Sequence, residues 1–427
     1  MTARRQEAVL GRLLDGLRSE LADWRVLATR GDPPELEKHR SQLAAVEAML
    51  TGGLAEARAR LDAGERAGLP VLVLDLHHVW DYFRSKFTLR RMPEYRDVLA
   101  TADELAWSCY EAPLTAALGV AGTPSKEPPL VSFGRAAGPR AHRRGDQYRD
   151  LLPRGGVHTR EGVELARSLP FPVIDLPWYY GSHLPALLTV AHEAGHHIED
   201  DFALTPAIGH RLASAALPAG ELPRWHGWAG EVFADVCATL VCGAAYPAVL
   251  AEVLTTLTPE DATAAAPGAH PPAGVRLGVC AAVLSRVGAD SGPAAGTAGR
   301  ADLAEVARAL VDGGYDQFGG RSLPELLCPR PRPDAEPEYA GTVEAEHLLS
   351  GMPSRHKRVP GVLAAAALAF LADPEAYDAR AVGARATAEA LALRAGGFRR
   401  TPAVTVHDAA AAGRRLLSVL REGAGTA

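Results

Sequence analysis

A chain of 427 residues, 47% of them apolar, is long enough to bury a large core and to divide into two or three packed units. Its net charge of -6 gives no global attraction to nucleic acid or an anionic membrane. The longest apolar run, Val362 to Ala372, falls well short of the about 18 residues that suggest a membrane span. Five scattered cysteines and a charged N-terminus without an apolar signal region predict reduced thiols and a cytoplasmic setting, and the Lys-poor, Ala-rich composition suggests a high-GC bacterial genome.

In chain order, residues 3 to 30 and 34 to 64 are predicted as two helices of a hairpin, parted by the stop-and-restart signal Gly31-Asp32-Pro33-Pro34. A third helix from Leu72 puts Leu72, Leu76, Val79, Trp80, Phe83 and Phe87 on one face. A fourth, from Pro93 to Ala112, buries Tyr95, Val98, Leu99, Ala102, Leu105, Ala106 and Cys109. Together they make a helical N-terminal region, 1–118. His77 and His78 are adjacent and face different ways, so they read as ordinary helix residues and not as a metal pair.

From 119 to 170, Pro, Gly and Arg cluster around short extended pieces, with Leu130 to Phe133 as a strand. Arg135 to Arg160 carries seven Arg against two Asp and is expected as a solvated basic loop. Phe171 to Pro177 is an apolar strand bounded by prolines, which predicts an edge strand whose free backbone groups could pair with an extended peptide. Trp178, Tyr179 and Tyr180 follow, as core or as the lining of a substrate pocket.

The segment Ala191-His192-Glu193-Ala194-Gly195-His196-His197 carries the chemistry. Apolar residues at 184, 187, 188 and 191 place it on a helix facing a core. Histidines four apart on a helix lie one above the other and can offer both imidazoles to one metal, while Glu193 stands beside a metal-bound water as a general base. A catalytic zinc needs a third protein ligand. His197 points about 100° round the helix from His196, and Phe202 and Glu199 occupy the positions where a metzincin would carry His and Gly. Glu231 and Asp235 remain, four apart on an apolar segment (Trp228 to Ala244) of helical period, where burial without a cation would be costly. Glu231 is expected as the third ligand and Asp235 as the acceptor that orients a ligand imidazole, with Asp235 the alternative ligand.

With these residues the chain resembles the gluzincin metallopeptidases, whose His-Glu-x-x-His is followed by Glu-x-x-x-Asp on a second helix. The segment His270-Pro271-Pro272-Ala273-Gly274-Val275-Arg276 looks like the His-Pro-x-x-x-x-Arg element of the CAAX-prenyl endopeptidase and heat-shock membrane-protease family. That resemblance implies His270 as a donor to the tetrahedral oxyanion and Arg276 as the partner of Asp235. The bare sequence also allows His-Pro-Pro to be a turn leading into a helix. The resemblance covers roughly residues 170 to 280. It implies a soluble relative of a family that is usually membrane-embedded, so the substrates of that family do not carry over.

After Arg276 further helices are expected at 277–287, 300–311, 359–371, 381–395 and 406–420. The fold class expected is mainly α (α+β): a zincin-type catalytic core, 119–290, with a small edge-stranded sheet, flanked by helical regions 1–118 and 291–427. The expected activity is that of a zinc metalloendopeptidase acting on peptide or protein substrates, with Zn²⁺ on His192, His196 and Glu231 and a zinc-bound water activated by Glu193. Two alternatives are a zinc-binding pseudo-enzyme or partner-binding module, and a metal hydrolase of a non-peptide amide.

Overall fold

The computed structural model describes residues 3–30, 36, 39–123, 126–134, 138–142, 171–257, 270–289, 301–330 and 337–393. The amphipathic N-terminal stretches form α1 (Ala3–Arg30) and α2 (Arg40–Asp62), and α3 (Leu69–Leu89) packs on them. α3 starts a turn ahead of the expected Leu72, because Gly68, at φ 71, and Pro70 set its first turn. α4 (Pro93–Leu118) runs through Pro113, where the periodicity predicted an end. Buried Leu114 and Ala117 beyond the proline hold the last turns by packing.

Three strands follow: β1 (Leu130–Gly134), β2 (Arg140–His142) and β3 (Val173–Pro177), in the order β1-β3-β2, with β1 parallel and β2 antiparallel to β3. The strand predicted as an edge is therefore the central one. Its prolines mark its ends: Pro172 precedes the ladder, and Pro177 lies beyond β2, which pairs only with residues 173 to 175. With β3 covered on both sides, the expected pairing of a peptide along it does not hold. Both faces of the sheet are buried. Leu130, Phe171 and Val173 pack into a core shared with α1 to α3, whereas Val131, Phe133, Ile174 and Leu176 join a second core with α4 and the helices downstream.

Buried charges stitch the two cores together. Lys86 Nζ of α3 bonds Asp175 Oδ1 of β3 at 2.7 Å. Arg90, fully buried just after α3, donates to both carboxylate oxygens of Asp103 on α4 at 2.9 Å and to the Val131 carbonyl of β1 at 2.6 Å.

Past β3, the turns Trp178–Ser182 and Leu184–Leu188 are 3-10, and the α-helical stretch expected from Leu184 begins only at Thr189, as α5 (Thr189–Asp201). Pro185 lacks an amide hydrogen and sits at the start of the tighter turn. Then come α6 (Thr205–Ala213), α7 (Leu222–Cys242), α8 (Ala245–Glu252), α9 (Ala273–Arg286), α10 (Ala301–Val311), α11 (Leu323–Leu327), α12 (Thr342–Leu349), α13 (Val359–Ala372), α14 (Pro374–Ala379) and α15 (Val382–Ala392). The architecture is mainly α with one small sheet, the fold class expected. All five cysteines are free and buried. Among the described residues no helix is long and apolar enough to cross a membrane. The predicted helix at 406–420 and most of the basic segment 135–160 lie outside the described residues.

Candidate metal centre

Two helices bring the acids to the histidines. Where α5 crosses α7, a Cβ on Gly195 would stand only 2.8 Å from Ala234 Cα, so the missing side chain lets the backbones touch. Ala234 lies between Glu231 and Asp235 in sequence, and Gly195 between His192 and His196. The point of closest approach thus sits inside both motifs.

The result is a triangle of donor atoms. His192 Nε2 and His196 Nε2 are 3.2 Å apart, His192 Nε2 is 3.4 Å from Glu231 Oε2, and His196 Nε2 is 3.4 Å from Glu231 Oε1. Ligands at about 2.0–2.1 Å from a tetrahedral zinc are separated by about 3.3 Å. These side chains match that edge length, and two imidazoles with a carboxylate are a customary zinc donor set. Among the described residues this is the one group of three or more His, Cys, Asp or Glu that could hold a metal ion.

Behind the triangle lies a dry ionic layer. Asp235, with no solvent exposure, faces His192 Nδ1 at 2.9 Å. Arg276 of α9 donates to Asp235 through Nε at 2.7 Å and Nη2 at 2.6 Å, a two-pronged clamp. Asp235 is therefore turned away from the donor triangle, and Glu231 is the acid that faces both histidine Nε2 atoms. A carboxylate on Nδ1 favours the tautomer with its proton there, which leaves the Nε2 lone pair for a metal.

The electrostatics follow from these contacts. Burial opposes charge on Asp235, but Arg276 more than compensates and holds the carboxyl below its usual range. Burial likewise opposes charge on Glu231, and hydrogen bonds from His192, His196 and His270 override it, keeping it ionised. His192 is disfavoured as a cation by burial yet is raised to about 10 by Asp235 and Glu231. A proton on His192 offsets the Glu231 charge, and a divalent cation at this point would displace it.

The other expected residues fall nearby. Glu193 is buried on α5 beside His192, within electrostatic range of Tyr180. His270 stands just ahead of α9, its side chain 60% exposed and its Nδ1 3.3 Å from Glu231 Oε2, which raises the imidazole's pKa. The aromatic trio divides: Tyr180 is core, whereas Trp178 and Tyr179 are 43% and 45% exposed.

One participant was missed. Tyr246 of α8 donates its hydroxyl to Asp235 Oδ1 at 2.6 Å and lies 3.1 Å from His192 Nδ1. Its only sequence signal was a tyrosine within an apolar stretch, whose buried hydroxyl needs a partner that the sequence does not name. Comparison of the chain with protein-family models, curated proteins and solved structures gave no match.

Proposed function

We propose that the chain is a zinc-dependent metallopeptidase of gluzincin type, resembling a relative of the CAAX-prenyl endopeptidase and heat-shock membrane-protease family. The observation that carries this reading is the triangle of His192, His196 and Glu231 donors at zinc-ligand spacing, with a further carboxylate, Glu193, adjoining the first ligand. His192, His196 and Glu231 would hold Zn²⁺, which supplies Lewis-acid polarisation of a carbonyl and lowers the pKa of water. Glu193 takes the proton of the attacking water. Its burial in a largely desolvated wall keeps that transfer away from bulk solvent. His270, anchored through Nδ1 on Glu231, is left with Nε2 to donate to the developing oxyanion, a contribution of about 3 kcal/mol in comparable sites. Asp235, Arg276 and Tyr246 touch no reacting atom. They fix the His192 ring and hold α9 against α7.

The test pairs metal analysis of protein purified without added zinc with an unbiased peptide-library digest, comparing wild type and Glu193→Gln. The expected result is about one zinc per chain in both proteins and cleavage by the wild type alone. Cleavage by Glu193→Gln at the wild-type rate, or a wild type that takes up no zinc, overturns the proposal.

A further inference from the structure

A buried polar chain runs through the junction of the two cores. His39, one residue ahead of α2 and 1% exposed, stands against Arg90 at the end of α3 and Asp103 of α4, both without solvent exposure. The direction of its hydrogen bonds follows from one member that has no choice. The Pro128 carbonyl can only accept, so Gln42 donates Nε2 to it at 2.9 Å and turns its own Oε1 to His39 Nδ1 at 2.6 Å. That amide oxygen can only accept in its turn, which assigns a proton to Nδ1 of His39.

Nε2 is then the atom at which the ring gains or loses charge, and it lies between a donor and an acceptor. Arg90 Nε, which bears a single hydrogen, is 2.9 Å away, and Asp103 Oδ2 is 3.2 Å away. A neutral ring accepts from Arg90. A protonated ring gives its new hydrogen to Asp103 and faces the Arg90 Nε–H with a hydrogen of its own, so that bond is lost. The two states are unequal, because Asp103 is already served: Arg90 Nη2 reaches both its oxygens at 2.9 Å, and the Val131 amide donates to Oδ1 at 3.2 Å. A further cation adds excess charge to a dry pair that is neutral without it, and burial makes that costly. From α3 His39 meets the charge of Arg90, from α4 that of Asp103, and from α2 the neutral Gln42. Lys86, one turn before Arg90, is matched by Asp175, and Glu127, ahead of β1, accepts from Ser41 Oγ at 2.8 Å.

We propose that His39 is an acid-operated latch between the two cores. Neutral, it completes the bonds of Arg90 and holds the start of α2 and the end of α3 against α4. When a proton from solvent reaches Nε2, Arg90 loses that bond and the seam loosens. The same guanidinium holds the Val131 carbonyl of β1 at 2.6 Å, so the loosening extends to the sheet. The latch involves no metal and stands apart from the metallopeptidase reading.

The test is urea unfolding of the full-length chain at pH 7.5 and pH 5.5, wild type against His39→Gln, with a chelator in every sample. An unfolded imidazole titrates at about 6.5, so its contribution to stability is present above that value and is lost as pH falls below it. If the ring takes its proton only when the seam opens, the interval favours the unfolded chain by about tenfold. The unfolding constant of the wild type divided by that of the variant is therefore expected to rise about tenfold from pH 7.5 to pH 5.5, since the other histidines cancel in the ratio. A ratio that stays level or falls overturns the proposal. A second measurement needs no variant: hydrogen exchange of the wild type, corrected for the intrinsic rate at each pH. Protection at residues 86–92 and 130–134 should drop at pH 5.5 and return at pH 7.5, and unchanged protection there overturns the latch.

Discussion

Replacing Gly195 with alanine tests whether the backbone contact of α5 with α7 sets the ligand geometry. The new Cβ would stand 2.8 Å from Ala234 Cα and 3.2 Å from Ala234 O, all of it backbone that cannot rotate away. Carbon atoms approach to about 3.5 Å without repulsion, so the helices must part by about 0.7 Å. Metal-ligand distances tolerate about 0.2 Å, so Glu231 would leave bonding range of a metal held by His192 and His196. Zinc affinity, measured by competition with a chromophoric chelator, should fall at least the ~10–100-fold typical of disturbing the residues that orient ligands. Overpacking costs about 1–3 kcal/mol, while alanine gains about 1 kcal/mol over glycine in a helix interior. Gly209→Ala on α6, whose added Cβ meets nothing within 4 Å, supplies that gain alone. The two variants should therefore differ by about 1–3 kcal/mol in urea unfolding, with Gly195→Ala the less stable. Equal stabilities together with wild-type zinc affinity would refute the account of the crossing.

Three other outcomes follow from the contacts described. Asp235→Asn strands the buried Arg276 guanidinium, so unfolding free energy should drop by about 3–5 kcal/mol and zinc binding weaken by about 10–100-fold, both read on the purified protein. Tyr246→Phe removes one donor from Asp235 and leaves the Arg276 clamp. A loss of about 1–2 kcal/mol in urea unfolding is expected, with zinc content retained; loss of zinc would give the hydroxyl a larger part than orientation. At Asp175, burial opposes the charge but Lys86 and His142 outweigh it, so the folded carboxyl titrates below its ordinary range. Stability from this group is then fully present above about pH 3.9, the unfolded value, and is lost as pH falls through the lower folded value. Acid unfolding monitored by circular dichroism should show a shallower acid limb for Asp175→Asn than for wild type.

The clustering of the site residues was more legible than the scaffold. Helical period alone aligns His192 with His196 and Glu231 with Asp235, because each pair is a property of one helix. The contact of Arg276 with Asp235 came through the likeness of a short motif, since no local rule joins α9 to α7. Tyr246 stayed hidden for the same reason: its role depends on α8 folding back over His192 after the Gly243 break. The strand Phe171 to Pro177 was misplaced because prolines mark strand ends as readily as sheet edges. Only the pairing of β1 and β2 distinguishes the two cases, and neither partner is local to it. The tight start of α5 was missed because 3-10 and α turns share nearly the same apolar spacing over five residues.

Alternate residues of one short strand belong to two different cores, and this bears on how the molecule can be divided. A chain cut to begin at Pro93 would keep every donor to the metal centre. It would also lay bare Leu130, Phe171 and Val173, and it would leave Asp103 and Asp175 without the cations that Arg90 and Lys86 provide. The central strand leading to the histidine helix would then turn one apolar face to solvent, with Asp175 left to His142 alone. The first three helices are the footing on which the histidines stand, and the smallest unit that keeps the triangle of His192, His196 and Glu231 in place includes them.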